Sequence, residues 1–225
     1  MAKILNLETA TTNCSVSIAE DSEILALKEH NTPNYSHSEQ LHVFIEEVTA
    51  DASITLNDID AIAVSKGPGS YTGLRIGVSA AKGLCFSLDV PLISIATLKS
   101  IALQSIDAGI DFIIPMLDAR RMEVYAQVFD SEFNEVRETR AEIIDEHSFE
   151  EFYKKGKILL IGTGAAKCKT VLNHPNIIFD TEAIPSSKEM SSIAFKKYKA
   201  NDFENVAYFV PFYLKDFILQ TKAKK

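Results

Sequence analysis

The chain has 225 residues, enough for two small domains or one large one, and 46% of them are hydrophobic, an ordinary share for a globular protein. Its formal net charge is −8. We therefore do not expect it to hold RNA by itself, because nucleic-acid affinity depends largely on Lys and Arg neutralising phosphates. No apolar stretch reaches the length of a transmembrane helix, and the first residues lack the apolar core of a signal peptide, so we expect a cytoplasmic protein with no membrane partner.

The first third of the chain alternates between strand and helix signals. Apolar or alternating runs at residues 3–9, 15–19 and 23–28, separated by tight turns, predict three strands in an antiparallel meander. A helix is predicted to start at Ser36, because Ser36 and Glu39 have the spacing of a capping box. The apolar residues that follow have helical spacing: Leu41, Phe44, Ile45 and Val48.

Two further strands and two further helices complete this first lobe. Residues 59–65 have the pattern of a buried strand, and a short segment that we call the glycine loop then opens a helix running to about residue 88. The glycine loop consists of Gly67, Pro68, Gly69, Ser70, Tyr71, Thr72 and Gly73. Residues 91–95 are predicted as a strand and residues 97–106 as a helix.

The second part of the chain begins another sheet. The predicted strands cover residues 112–117, 122–129, 137–144 and 158–161. Helices are predicted after the turn Gly162-Thr163-Gly164, to about residue 172, and at residues 188–199. The lobe boundary is placed near Gly109. This division gives an α/β protein with an N-terminal lobe of residues 1–108 and a smaller C-terminal lobe of residues 109–225.

The glycine loop has the geometry of an anion site but none of the specific phosphate motifs. A strand that turns directly into a helix presents free N–H groups and the positive end of the helix dipole. A Walker loop would have Lys where Leu74 stands, and a dinucleotide fingerprint would have Gly in place of Thr72. A nucleophile elbow would place Ser two residues after its first Gly, whereas Ser70 directly follows Gly69, which disfavours a serine hydrolase.

The helix after the glycine loop is apolar on almost every side. Between residues 72 and 88 only Arg75 and Lys82 are charged, and they lie on one face of the helix. A helix of this kind is usually buried all round. Its small residues let another backbone approach closely: Gly73, Gly77, Ala80, Ala81 and Gly83. One side can be covered by the sheet of its own lobe, and the other by the rest of the chain or by a partner subunit, of which we favour the partner.

The sequence contains no pattern of metal ligands. His37 and His42 are five residues apart and do not share a helix face, and no His-x-x-x-His or Cys-x-x-Cys pair is present. Three cysteines lie far apart and are expected to be buried as small hydrophobic residues: Cys14, Cys85 and Cys168. We therefore assign no metal site.

Several segments resemble the TsaB family. Residues 4–9 (ILNLET) and 36–41 (SHSEQL) look like the corresponding segments of TsaB proteins. Residues 67–77 (GPGSYTGLRIG) are very close to a signature that the family shares with its catalytic relative. Asp118-Ala119-Arg120 and residues 211–215 (PFYLK) resemble a second-lobe motif and a C-terminal motif of the family. The similarity runs through most of the chain.

The resemblance implies an actin/hexokinase-like (ASKHA) fold of two lobes, each a mixed sheet flanked by helices. It implies a subunit without catalytic residues that binds and activates a TsaD-type threonylcarbamoyltransferase in making threonylcarbamoyladenosine next to the tRNA anticodon. A TsaE-type ATPase is a second implied partner, and tRNA is reached indirectly through the complex. The family builds its interface from the first helix and the helix after the glycine loop. The residues implied here are His37, Gln40, Leu41, Phe44, Leu74, Arg75, Val78, Ala81 and Lys82.

Departures from related enzymes imply that nucleotide and metal sites are lost. Actin-like ATPases have Asp where this chain has Glu8, so the resemblance implies at most a vestigial nucleotide site. Its residues would be Glu8, Thr9, Asp118, Gly162 and Gly164. Thr97 and Ile101 stand where the catalytic relative has a metal-binding His pair, and neither offers an imidazole. We expect no cofactor on this chain alone, and ATP or ADP with Mg²⁺ only within the complex.

Other interpretations remain open from the sequence. An independent actin-like phosphotransferase would place Glu8, Thr9, Asp118 and the turn at residues 162–164 around ATP and magnesium. A serine hydrolase would use Ser70. The apolar helix is also compatible with a homodimer of the free chain, and the Lys-rich C-terminus with a contact to tRNA.

Overall fold

The computed structural model describes residues 1–33, 36–105 and 109–215, and its first half is built on a five-stranded sheet. The strands are β1 (Lys3–Glu8), β2 (Asn13–Glu20), β3 (Glu23–Asn31), β4 (Ala61–Gly67) and β5 (Leu92–Ala96), in the order β3-β2-β1-β4-β5. The first three form the predicted antiparallel meander, whereas β4 runs parallel to β1 and β5 parallel to β4. The helices of this half are α1 (His37–Asp51), α2 (Tyr71–Leu88) and α3 (Thr97–Ala102).

The second half repeats this arrangement. Its strands are β6 (Phe112–Asp118), β7 (Glu123–Asp130), β8 (Glu135–Ile143), β9 (Ile158–Ile161) and β10 (Ile177–Asp180), in the order β10-β9-β6-β7-β8. Again three antiparallel strands are followed by two parallel ones. The helices are α4 (Glu150–Tyr153), α5 (Ala165–Cys168) and α6 (Ser187–Lys199). The predicted α/β fold of two mixed sheets flanked by helices is confirmed.

The last helix of the first half packs on the second sheet. Leu98, Ile101 and Ala102 of α3 are buried together with Ile113 and Leu159, which belong to β6 and β9. The opposite face of the second sheet is covered by α4 and α5. A sheet that is apolar on both faces needs cover on both, and α3 supplies one of these covers from outside its own half.

The last helix of the second half packs on the first sheet in the same way. Met190 and Ala194 of α6 are buried against Ala61, Ala63 and Ile93. Ile62 and Val64, which alternate with Ala61 and Ala63 along β4, point to the opposite face of the sheet, towards α1 and α2. Successive side chains of a strand point to opposite faces. This packing corrects the assignment of all residues 109–225 to the C-terminal lobe, since α6 covers the first sheet.

The chain after α6 continues along the first half. Glu204 forms an isolated antiparallel bridge with Leu92 on β5. Further on, the Phe212 N–H donates a hydrogen bond of 2.7 Å to the Lys66 carbonyl near the end of β4. We call residues 204–215 the C-terminal strap. The predicted contact of the Lys-rich C-terminus beyond residue 215 lies outside the described residues.

Most predicted elements are confirmed, and the differences concern helix ends and two short elements. Ser36 precedes α1, but its side chain makes no capping hydrogen bond, because its backbone (φ −118°, ψ 14°) is not extended. The predicted capping box is therefore wrong. The α3 and α5 helices end earlier than predicted, and β10 and α4 were too short to be recognised. Within the described residues, no helix is long and apolar enough to cross a membrane. The three cysteines are free and buried, as predicted.

Candidate functional site

The glycine loop packs directly on the turn that follows β1. The Ser70 N–H donates to the Ala10 carbonyl at 2.6 Å, and the Thr9 hydroxyl donates to the Gly73 carbonyl at 2.9 Å. A Cβ on Gly73 would lie 2.1 Å from the Thr9 carbonyl oxygen, so only glycine permits this approach. The Ser70 N–H and the Gly73 carbonyl are thus used within the chain, and the loop serves to pack α2 on the turn after β1.

Ser70 has a structural role in the same loop. Its hydroxyl oxygen accepts a hydrogen bond of 3.2 Å from the Gly73 N–H and so caps the N-terminus of α2. The neighbouring His37 uses Nε2 to donate to the Thr11 carbonyl at 2.7 Å, and burial lowers the pKa of its ring. The geometry therefore gives Ser70 the role of a helix cap and does not favour the serine hydrolase interpretation.

Glu8 is a fully buried carboxylate at the end of β1. Its Oε1 accepts hydrogen bonds from the Ala10 N–H at 2.6 Å and from the Ser65 hydroxyl at 2.8 Å. Burial raises the pKa of Glu8 to about 7, against the opposing effect of these hydrogen bonds. Thr9 is also fully buried. Neither side chain can reach a nucleotide in this conformation.

The second-lobe residues of the proposed nucleotide site are also engaged elsewhere. Asp118 is the last residue of β6, and its Oδ1 accepts a hydrogen bond of 2.7 Å from Lys167 Nζ on α5. A Cβ on Gly162 would lie 2.5 Å from the Met116 carbonyl oxygen, so this glycine serves close packing on β6. Gly164 likewise faces the backbone of β6. Among the described residues, no hydrogen bond joins this group to Glu8 or Thr9. The vestigial nucleotide site stays a prediction, with its residues engaged in contacts within the chain in this conformation.

Five residues assigned to a partner interface belong to the chain's own interior. Leu41, Leu74 and Ala81 are fully buried, Val78 is 4% exposed and His37 is 1% exposed. The four apolar residues lie on the faces of α1 and α2 that meet the first sheet and the glycine loop. They cannot contact a partner while the chain keeps this fold, so their assignment to the interface is corrected.

An open groove of about 610 Å³ lies between α1 and α2, and we call it the α1–α2 groove. It is lined by Ser38, His42, Arg75, Ile76, Ser79, Ala80, Gly83 and Leu84. Ile76, Ala80 and Leu84 recur every four residues and give α2 a second apolar stripe. Of the residues predicted for the interface, Arg75 lies in this groove. The others that line it were missed, although their helical spacing is visible in the sequence.

Three further predicted interface residues do not line this groove. Gln40 and Phe44 are half-buried on α1, and Phe44 packs on the core of the first half. Lys82 Nζ donates to the carbonyls of Ala207 and Phe209, at 3.0 and 3.1 Å. Lys82 thus holds the C-terminal strap against α2.

The positions compared with a metal-binding His pair lie in the interior. Thr97 and Ile101 are fully buried at the start and the end of α3. Ile101 packs among apolar residues of the second sheet. In residues 1–33, 36–105 and 109–215, no three His, Cys, Asp or Glu side chains come close enough together to hold a metal ion.

Comparison with known proteins gives one consistent family. Residues 32–223 match the family described as TsaD: tRNA N6-adenosine threonylcarbamoyltransferase. The chain is 30% identical to the tRNA threonylcarbamoyladenosine biosynthesis protein TsaB of Haemophilus influenzae, over 95% of this chain and 93% of that protein. It is 28% identical to TsaB of Escherichia coli K12, over 95% of both chains. In fold it is similar to YeaZ from Pseudomonas aeruginosa, with a TM-score of 0.84, 22% identity, and coverage of 95% of this chain and 100% of that one.

Burial of Glu8 predicts a specific pH dependence of stability. The pKa of Glu8 is about 7 in the folded state and 4.5 in its ordinary range, so the folded state binds the proton more tightly. The contribution of the protonated Glu8 side chain to the free energy of unfolding is fully present below about pH 4.5. It is lost as the pH rises through 7. Glu8→Gln removes this titration. Its free energy of unfolding relative to the wild type should rise by about 3 kcal/mol from pH 4.5 to pH 8. Urea unfolding of both proteins across this range measures the difference, and a constant difference would contradict the burial argument.

The close approach of α2 to the first turn predicts opposite effects at two glycines of the same helix. Gly73→Ala should destabilise the fold by about 1–3 kcal/mol, because its methyl group meets the Thr9 carbonyl. Gly83→Ala is the matched control, since a Cβ there meets nothing within 4 Å. It should stabilise the fold by about 0.5–1 kcal/mol through helix propensity. Thermal and urea unfolding test the pair, and equal effects at both positions would refute the argument.

Proposed function

This chain belongs to the TsaB family, whose members share a domain with the TsaD family, and on that basis we propose that it is the non-catalytic partner of a TsaD-type threonylcarbamoyltransferase. The relatives that it matches over nearly their full length are named for tRNA threonylcarbamoyladenosine biosynthesis. Its role in that pathway is to bind the catalytic subunit and to support its activity.

The α1–α2 groove is the observation that carries this proposal. It combines a volume of about 610 Å³ with an apolar stripe on α2. At the far end of α2, Phe86 is 87% exposed, and on α1 Val43 is 48% exposed. Apolar surface of this kind gains free energy when a second protein covers it. A helical surface of the partner, laid along α1 and α2, would fill the groove.

Small residues in the groove favour the approach of a partner helix. Ser79, Ala80 and Gly83 carry no long side chain, so a second backbone can come close to α2. Arg75 places one cation at the edge of this apolar surface. An acidic or carbonyl group of the partner can pair with it and set the orientation of the two chains.

Two findings support the non-catalytic part of the proposal. Thr97 and Ile101, which replace the His pair of the catalytic relative, are buried and used for packing α3. Glu8 and Thr9 are buried and hydrogen-bonded within the chain. The chemistry is therefore assigned to the partner.

The proposal extends to the wider complex and its location. A TsaE-type ATPase is the second protein partner, and tRNA is bound through the complex, because a chain with a net charge of −8 has little attraction for phosphates. This chain alone holds no cofactor, and ATP or ADP with Mg²⁺ would enter only within the complex. We place the protein in the cytoplasm, where tRNA is modified.

A large residue at Gly83 should separate partner binding from folding. Gly83→Arg fills the groove with a long charged side chain but meets no atom of its own chain at the Cβ. We expect binding of the catalytic subunit to weaken at least about a hundredfold, since a charge would be buried in an apolar contact. The melting temperature should stay at or above that of the wild type. Calorimetric titration with the TsaD-type subunit measures this.

Leu74→Asp is the matched control for a residue of the interior. Leu74 is fully buried, so the buried carboxylate should unfold the chain. If Gly83→Arg binds the partner like the wild type, the groove is not the interface.

The activity itself is tested by reconstitution. Purified TsaD-type and TsaE-type subunits of the same organism are incubated with unmodified tRNA, ATP with Mg²⁺ and threonylcarbamoyl adenylate as the group donor, with and without this chain. We expect threonylcarbamoyl incorporation only when the chain is present, and none from the chain alone. Equal incorporation without it would reject the proposed function.

A further inference from the structure

The C-terminal strap is fastened along the first half of the protein. Its start pairs with β5, where the Glu204 carboxylate also accepts a hydrogen bond from the Ser94 hydroxyl. Its middle crosses α2, where Lys82 Nζ binds the carbonyls of Ala207 and Phe209. A segment without regular secondary structure gains its order from such contacts, since each one offsets part of the lost conformational entropy.

The end of the strap is fixed between the glycine loop and the second half. The Phe212 N–H donates to the Lys66 carbonyl, and the Phe212 carbonyl lies against Gly67, where a Cβ would be only 2.9 Å away. Gly67 also has φ +105°, a conformation that favours glycine. Three residues further on, Lys215 pairs with Glu123 on β7. Tyr213 is therefore held between two anchored positions.

Tyr213 touches the first turn of α2, and that turn touches a residue of the groove. The rings of Tyr213 and Tyr71 have centroids 4.9 Å apart and are tilted by 39°. The Arg75 guanidinium carbon lies 4.4 Å from the centroid of the Tyr71 ring, as a cation over an aromatic ring. Tyr71 and Arg75 are four residues apart on α2 and so share one face of the helix.

Arg75 is the cation of the α1–α2 groove, and its side chain is exposed. Among the described residues, no carboxylate lies within the 4.0 Å of an ion pair with it. An exposed arginine samples many rotamers, and holding it in one of them lowers the entropy cost of binding. The Tyr71 ring provides such a hold.

We propose that Tyr213 is a positioning residue for the partner interface, which holds the Tyr71 ring so that the Arg75 guanidinium is presented at the groove. This inference rests on the proposed function, because it concerns how the groove binds the catalytic subunit. Tyr213 makes no contact with the partner in this scheme. The strap thereby connects the second half, through the ion pair of Lys215 with Glu123, to the surface that binds the partner.

The test is a double-mutant cycle measured by calorimetric titration with the TsaD-type subunit. Tyr213→Ala should weaken binding about five- to tenfold, and Arg75→Ala at least as much. In the Arg75→Ala background, Tyr213→Ala should have no further effect, because the group that it positions is gone. Tyr213→Phe keeps the ring and should restore binding to within about twofold. Tyr213→Ala should also reduce the salt dependence of binding, as Arg75→Ala does.

Several outcomes would overturn the inference while leaving the proposed function intact. If the wild type binds the partner and Tyr213→Ala binds equally well, the strap does not position the interface. If the two substitutions are additive, Tyr213 acts independently of Arg75. Tyr208→Ala is the matched control on the strap, because its side chain is 83% exposed. An equal loss of affinity there would indicate direct contact of the strap with the partner. Failure of the wild type to bind the partner would instead reject the proposed function.

Discussion

The close packing of α2 on the turn after β1 is the contact on which the proposed binding surface depends. Thr9 and Ala10 hydrogen-bond to the glycine loop, and the missing side chain of Gly73 lets the two backbones meet. This contact fixes the rotation of α2 about its axis. Leu74 and Ala81 then face the interior, while the half-buried stripe of Ile76, Ala80 and Leu84 lies at the edge of the core and lines the groove. The close approach at Gly73 thus determines which side of α2 faces the interior and which side lines the groove.

The two halves of the molecule hold each other together by exchanging their last helices. Each half has the same order of strands and helices, but α3 covers the second sheet and α6 covers the first. Because each sheet needs the other half for one of its faces, neither half can bury its apolar surface alone. The residues compared with a nucleotide site make hydrogen bonds within the chain. Glu8 binds Ser65, and Asp118 binds Lys167.

A protein that acts by binding needs a stable scaffold and one incompletely covered surface, and this chain shows both. Several of its interior polar groups are hydrogen-bonded within the chain, as are Glu8 Oε1 and the Thr9 hydroxyl. Among its exposed apolar residues are Val43 on α1 and Phe86 on α2, near the groove, and Tyr208 and Phe212 on the C-terminal strap. The strap links that groove to the second half through Lys215 and Glu123. The proposed binding surface is in this way connected with both sheets of the protein.

Local patterns in the sequence determined most of the strands and helices, the glycine loop, the buried cysteines and the family. These features follow from the spacing of apolar residues and glycines over short stretches, where the chain's own geometry decides the structure. The sequence also showed that α2 is apolar on nearly all sides. It did not show which side faces inwards, since Leu74 and Ile76 are equally apolar and only the position of the first turn distinguishes them. The exchange of α3 and α6, the pairing of Glu8 with Ser65 and the contact of Tyr213 with Tyr71 join residues far apart in the chain. Such contacts leave no local pattern, because they depend on how completed elements pack together, and only the tertiary structure decided them.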